Sequence, residues 1–160
     1  MIWASWIIIT IYTIGTLIKH KQIPISLSST YYSSNKKPWF TITLLITTIL
    51  MMIPLLDITR PEHQWLVFLS CMGNVFCAFA PNFKEELEGK IHYTGAVIAG
   101  ILSQIWCELY NPWTLLLWVL VGIILTSLYI HEKHNETQST IAFWAELVCF
   151  FNIYMTYILL

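Results

Sequence analysis

Few residues in this sequence have the chemistry to form a site, and most of those that do are embedded in apolar runs. Asp57, His92, Glu108 and Glu146 are ionisable groups within or at the edge of hydrophobic segments. A charge at the centre of a bilayer costs at least about 2.5–3.5 kcal/mol on insertion scales, which makes each of them a functional candidate. Asp57 and Glu108 fall at segment ends, where headgroup solvation lowers that cost. Glu146 lies further inside the last segment, where either a bond to a neighbouring helix or a function accounts for it. His92 opens a segment and carries an imidazole, whose titration near neutrality suits a general base. Paired with Ser28 or Ser26 from the preceding polar loop, it would make a membrane-embedded lipid hydrolase or acyltransferase. The plainer reading of His92 is a donor satisfied within the bundle.

Metal chemistry finds little support in the sequence. His131 and His134 have i, i+3 spacing, but they are expected in a polar loop with no third ligand and read as a solvated charge cluster. Cys71, Cys77, Cys107 and Cys149 have no zinc-ligand spacing and read as buried free thiols. The sequence therefore implies no metal and no cofactor.

The elements that must position these groups follow from composition. The 160 residues are 57% hydrophobic and 11% charged, whereas soluble domains carry roughly 45–50% apolar and about 25% charged residues. That leaves too little polar surface to cover a soluble core. A formal net charge of -1 with no basic face excludes nucleic acid as a partner. Six stretches approach the roughly 20 apolar residues of a spanning helix: residues 2–18, 39–56, 65–80, 91–110, 113–130 and 141–160. Pro54, Pro61, Pro81 and Pro112 fall at their predicted ends, and Trp39, Trp65 and Trp113 open three of them at headgroup level. The predicted fold is an all-α polytopic transmembrane bundle of about six helices, a single integral membrane domain over residues 1–160. The first stretch lacks the features of a cleavable signal peptide.

Charge and small residues orient the bundle. The first, third and fifth loops hold Lys19, Lys21, Lys36, Lys37, Lys84, Lys90 and Lys133, while the even loops hold only Arg60. By the positive-inside rule the odd loops are expected in the cytoplasm, with both termini outside and the protein in an inner membrane. The Asn135 sequon would then face the cytoplasm. In the fourth predicted helix His92, Gly95, Ala96, Ala99, Ser103 and Cys107 share a stripe. In the third, Ser70, Gly73, Asn74, Cys77, Ala78 and Pro81 form a matching one. The sixth carries Ala142, Glu146, Cys149 and Thr156, with Asn152 at the edge. Small residues let membrane helices approach closely, so these three are expected to pack together, with the aliphatic fifth facing lipid. The loop after the first helix, residues 22–38, is dense in hydroxyls and moderately apolar, and reads either as a segment that folds back onto the bundle to meet a lipid headgroup or as an ordered interfacial loop with only a packing role.

Pro24, Ile25, Ser26, Leu27, Ser28, Ser29 and Thr30 resemble the segment that follows the first helix in the Frag/DRAM/Sfk-type six-helix membrane proteins and related small bacterial membrane proteins. Leu69 to Gly73, Ala80 to Phe83 and His92 to Val97 resemble that family's middle. The family's acidic residue in the first loop is absent here, near Leu27 or Ser28, and the lysine bias implies the opposite orientation to its eukaryotic members. The resemblance implies lipid-related work, with Ser26, Ser28, Thr30, Tyr31, Asn82 and His92 forming a polar pocket at the cytoplasmic headgroup layer.

The leading functional expectation is a lipid-binding or lipid-sensing bundle. Beside it stand the hydrolase or acyltransferase and an oligomeric channel or membrane-permeabilising effector, in which Asn74, Glu146 and Asn152 would line water. Membrane lipids, a second copy, or the subunits of a larger membrane complex are the partners this implies.

Overall fold

In the computed structural model, residues 1–33, 38–82, 85–135 and 137–160 are described, apart from the side chains of His20, Tyr32, Ser33, Asn82, Glu85 and Glu86. Six long helices account for most of the chain. They are α1 (Ile2–His20), α3 (Pro38–Ile58), α4 (Gln64–Phe79), α5 (Glu85–Tyr110), α6 (Trp113–His134) and α7 (Ile141–Leu159), with a one-turn α2 (Thr30–Ser33) between the first two. There is no strand among the described residues. The predicted all-α polytopic bundle is thus the observed architecture. Four helices, α1, α3, α6 and α7, are long and apolar enough to cross a membrane. Of the other two, α4 has only 16 residues, and the start of α5 is rich in charge and glycine.

That difference from six equal spans has a packing cause. The most extensive helix–helix contact in the protein joins α4 to α5. A Cβ on Gly73 would lie 2.6 Å from both the Ala99 nitrogen and the Gly95 carbonyl oxygen. A Cβ on Gly95 would lie 2.7 Å from the Gly73 oxygen. The backbones touch, so only glycine fits at either position. Ser70 Oγ donates to the Ala99 carbonyl at 3.0 Å, and Cys77 Sγ approaches the His92 carbonyl at 3.5 Å, binding the two helices along their length. The two small-residue stripes thus face each other. The stripe of α7 is more loosely engaged: α3 with α4 and α1 with α3 share larger interfaces than α5 with α7. By contrast, α6 is almost wholly exposed, with Thr114 and Glu132 as its buried residues.

The connections gather at two ends. At one end Arg60 N–H donates to the Tyr110 hydroxyl at 2.8 Å, and Trp106 Nε1 donates to Thr59 Oγ1 at 2.8 Å. These bonds join the α3–α4 and α5–α6 turns. The α1–α3 loop, the start of α5 and the start of α7 meet at the other end, described below. Between them, Ser5 Oγ donates to the Thr47 carbonyl at 2.9 Å and pairs with the Tyr154 hydroxyl at 2.7 Å, tying α1, α3 and α7 together.

Two local expectations change. Pro54 lies inside α3, not at its end, a position that membrane helices tolerate better than soluble ones. His131 and His134 belong to the last turn of α6, not to a loop. The helix persists because the Glu132 carboxylate accepts from the Thr140 N–H at 2.9 Å and from Thr140 Oγ1 at 2.6 Å, anchoring the turn into α7.

Forcing a methyl into the α4–α5 contact should separate two backbones. Gly73→Ala is expected to cost about 1–3 kcal/mol, the usual range for overpacking. Gly15→Ala, where a Cβ meets nothing within 4 Å, should be neutral. Thermal unfolding followed by circular dichroism in detergent compares the two, and equal melting temperatures would refute the close-contact account.

Candidate functional site

The α1–α3 loop turns back onto the bundle. Its hydroxyls first satisfy the loop itself. Ser26 Oγ accepts from the Ser29 N–H at 3.0 Å and pairs with Ser28 Oγ at 2.9 Å, while Ser29 Oγ donates to the Ser26 carbonyl at 2.7 Å. Three anchors then hold the loop down. The Phe143 N–H donates to the Ile25 carbonyl at 3.1 Å. Thr30 Oγ1 pairs with the Tyr12 hydroxyl at 2.6 Å. The Glu146 carboxylate accepts the Leu27 N–H at 2.5 Å and also meets that of Ser28. Leu27 and Thr30 are buried as a result. A buried N–H without a partner costs about 1–3 kcal/mol, and a carboxylate acceptor makes a stronger bond than a neutral one.

Beneath this roof lies a cavity of about 180 Å³. Leu27 and Ser28 close it on the loop side. Phe40 and Leu44 of α3, Asn74 and Cys77 of α4, and His92, Ala96, Ala99, Gly100 and Ser103 of α5 form three of its walls. The last wall is Ala145, Glu146, Cys149, Phe150 and Ile153 of α7. At about 1.5 Å of rise per residue, the stretch of α5 from His92 to Ser103 spans about 16 Å. The cavity is therefore elongated along the helices. Its polar groups (Ser28, His92, Glu146 and, somewhat deeper, Asn74) lie toward the loop. The far part is walled by Phe150, Ile153, Ala99 and Gly100, and the Ser103 hydroxyl there is already spent on the Gly100 carbonyl at 3.0 Å.

The sequence-derived candidates divide accordingly. Ser28, Asn74, His92 and Glu146 share the cavity. Ser26 lies behind Ser28 within the loop's own bonds, Thr30 is turned toward Tyr12, and the Tyr31 ring meets Phe40 edge-on with centroids 6.4 Å apart. The Asn82 side chain lies outside the described residues. Asn152 is elsewhere: its Nδ2 donates to Gln104 Oε1 at 2.7 Å, which also accepts from Trp118 Nε1 at 3.0 Å. Asn74, Glu146 and Asn152 therefore do not form one continuous polar stripe.

The catalytic arrangement does not assemble as a bonded pair. The His92 ring lies against the Cys77 backbone carbonyl and near Glu88, whereas the Ser28 hydroxyl pairs with Ser26. Sequence reasoning found no acid for this site, yet Glu146 shares the cavity with His92. It also missed Gln104, a lone amide in an apolar helix, whose residue type was the available signal. Among the described residues, no group of three His, Cys, Asp or Glu side chains could hold a metal ion.

No family model, curated protein or solved structure matches this chain.

Removing the Glu146 side chain should release the loop. Glu146→Ala is expected to raise hydrogen exchange at Leu27 and Ser28 by at least about tenfold, corresponding to the lower part of the roughly 1–3 kcal/mol penalty for an orphaned donor. Exchange in the α4–α5 contact should stay unchanged. Exchange mass spectrometry reads both regions, and an unaltered loop would refute the anchoring role.

Proposed function

We propose that this chain is a small multi-pass membrane protein that binds or senses a membrane lipid in the cavity beneath the α1–α3 loop. One observation carries the reading: the cavity is polar at its loop end, through Ser28, His92 and Glu146, and apolar along its length between α3, α5 and α7. An amphipathic ligand needs that division, with a few convergent polar groups fixing one end and hydrocarbon walls taking the rest. The Asn74 amide supplies a further polar contact part-way down. The resemblance of the loop to the Frag/DRAM/Sfk-type segment points to lipid-related work as well.

The loop end carries the lysine-rich connections, so in this reading it faces the cytoplasm, both termini lie outside and the ligand comes from the cytoplasmic leaflet. The channel alternative loses its main support because Asn152 is occupied by Gln104. The hydrolase alternative lacks a base held against its nucleophile, because the Ser28 hydroxyl is paired with Ser26.

Native mass spectrometry of the protein released from mild detergent tests the proposal. Wild type should retain a lipid adduct. His92→Ala should retain severalfold less, because a polar wall is lost. Gly100→Leu should abolish retention by filling the apolar part: a Cβ there meets nothing within 4 Å, so the helix itself tolerates the change. Equal retention by all three proteins, or none by wild type, would sink the reading.

A further inference from the structure

We infer that the ligand of this cavity is a single-chain amphiphile with a cationic, ammonium-type headgroup, for which Glu146 is the counter-ion. The inference rests on the lipid-binding reading above and deepens it.

Glu146 lies within α7, on the wall of the cavity. Two backbone donors, from Leu27 and Ser28, converge on its carboxylate. An ionised carboxylate offers about four acceptor sites, so two donors leave it unsaturated. A buried carboxylate with acceptor capacity to spare calls for a further hydrogen-bonding partner. The protein supplies none among the described residues: no lysine or arginine lines the cavity, and no cationic side chain pairs with Glu146. Its neighbours on the wall are the Cys77 and Cys149 thiols, which carry no positive charge. The remaining acceptor capacity therefore suits an N–H-rich cation entering from the cavity.

The same feature selects against the common anionic alternatives. A fatty-acid carboxylate or a phosphate placed at the loop end would face Glu146 with no lysine or arginine among the lining residues and only the His92 imidazole to offset it. A small inorganic cation would leave the apolar length between Phe40, Leu44, Phe150 and Ile153 unused. A volume of about 180 Å³ drawn out along the helices accommodates one chain more readily than two. Simple long-chain amines and sphingoid-type bases share the required chemistry, an ammonium at the head of one hydrocarbon chain.

Chain-matched probes separate the headgroup from the chain. The full-length protein in detergent is incubated with dodecylamine, dodecanoate or dodecanol, and retention is read by native mass spectrometry. Dodecylamine should be retained at least about tenfold more than dodecanoate, with dodecanol between them. Glu146→Gln keeps an acceptor oxygen for the loop and should erase the preference for the amine. Circular dichroism establishes that the variant is folded, and the wild-type comparison alone is decisive if it is not. Dodecanoate or dodecanol retained as well as the amine, with Gly100→Leu blocking all three, would overturn the cationic headgroup and leave the lipid site standing. Retention of none of them, or retention unaffected by Gly100→Leu, would overturn both. If dodecylamine wins, retention of a simple long-chain amine against a sphingoid-type base of the same chain length distinguishes the two sources.

Discussion

The contact between the Glu146 carboxylate and the backbone of Leu27 and Ser28 is the interaction on which both the end of the bundle and its cavity depend. A non-helical segment buried against the bundle is tolerable only if protein groups satisfy its N–H and C=O groups, because a buried backbone group cannot reach water. The α1–α3 loop meets that condition with three anchors: α7 supplies the Phe143 N–H and the Glu146 carboxylate, and α1 supplies the Tyr12 hydroxyl. Once the loop is held there, Leu27 and Ser28 become a roof. The acid that closes the roof is then necessarily part of the wall beneath it, so one group serves fold and site together.

The cavity exists because α5 carries small residues on two adjacent faces. Gly95 and the Ala99 backbone meet Gly73 of α4, where the backbones touch. Ala96 and Gly100 are each rotated by one residue, about 100° around the helix axis, and line the space toward α7. Small side chains thus bring one neighbour close and leave room before another. Close packing with α4 also explains why these two helices can be the shortest and the most polar of the six: membrane helices associate through such contacts, not through exclusion of apolar surface. The outermost helix, α6, does the opposite. Its aliphatic surface is exposed along most of its length, and its side-chain bond to the bundle runs from Trp118 to Gln104.

The helices were legible in the sequence because a long apolar run has few alternatives to a helix in a bilayer. The observed boundaries of α3 to α7 lie within a few residues of the predicted ones except where charge continues a helix past its apolar part, as in the first turns of α5 and the last of α6. The fold-back of the first loop was legible as one of two readings, since a linker dense in hydroxyls and apolar groups is poorly suited to water. The identity of its anchor was not. Nothing in the spacing of residues 24–30 points to an acid more than a hundred positions away; only the packing of α7 against the loop creates that pair. Likewise Asn152 looked like one of a polar stripe because helical periodicity gives a face but not a depth. Its partner, Gln104, comes from another helix.

The two polar groups inside the bundle, around Gln104 and around Glu146, differ in how fully they are engaged. The Gln104 amide is fully engaged: its oxygen accepts from Asn152 and Trp118, and its nitrogen donates to Ser103 Oγ at 3.1 Å and to the Cys149 carbonyl at 3.4 Å. This network joins α5, α6 and α7 and uses all of the Gln104 amide, while the buried Asn152 Oδ1 is left without a partner. The Glu146 group is open: two backbone donors satisfy half of a carboxylate's capacity, no lysine or arginine pairs with it among the described residues, and empty volume adjoins it. Interhelical hydrogen bonds in membranes contribute only about 0.6 kcal/mol on average, since polar groups find partners in many states. A bundle built only for cohesion would therefore gain little from placing a carboxylate where a neutral amide would serve. What distinguishes the acid at position 146 is acceptor capacity beyond the bonds it makes to the loop, and that capacity lies on the wall of the cavity.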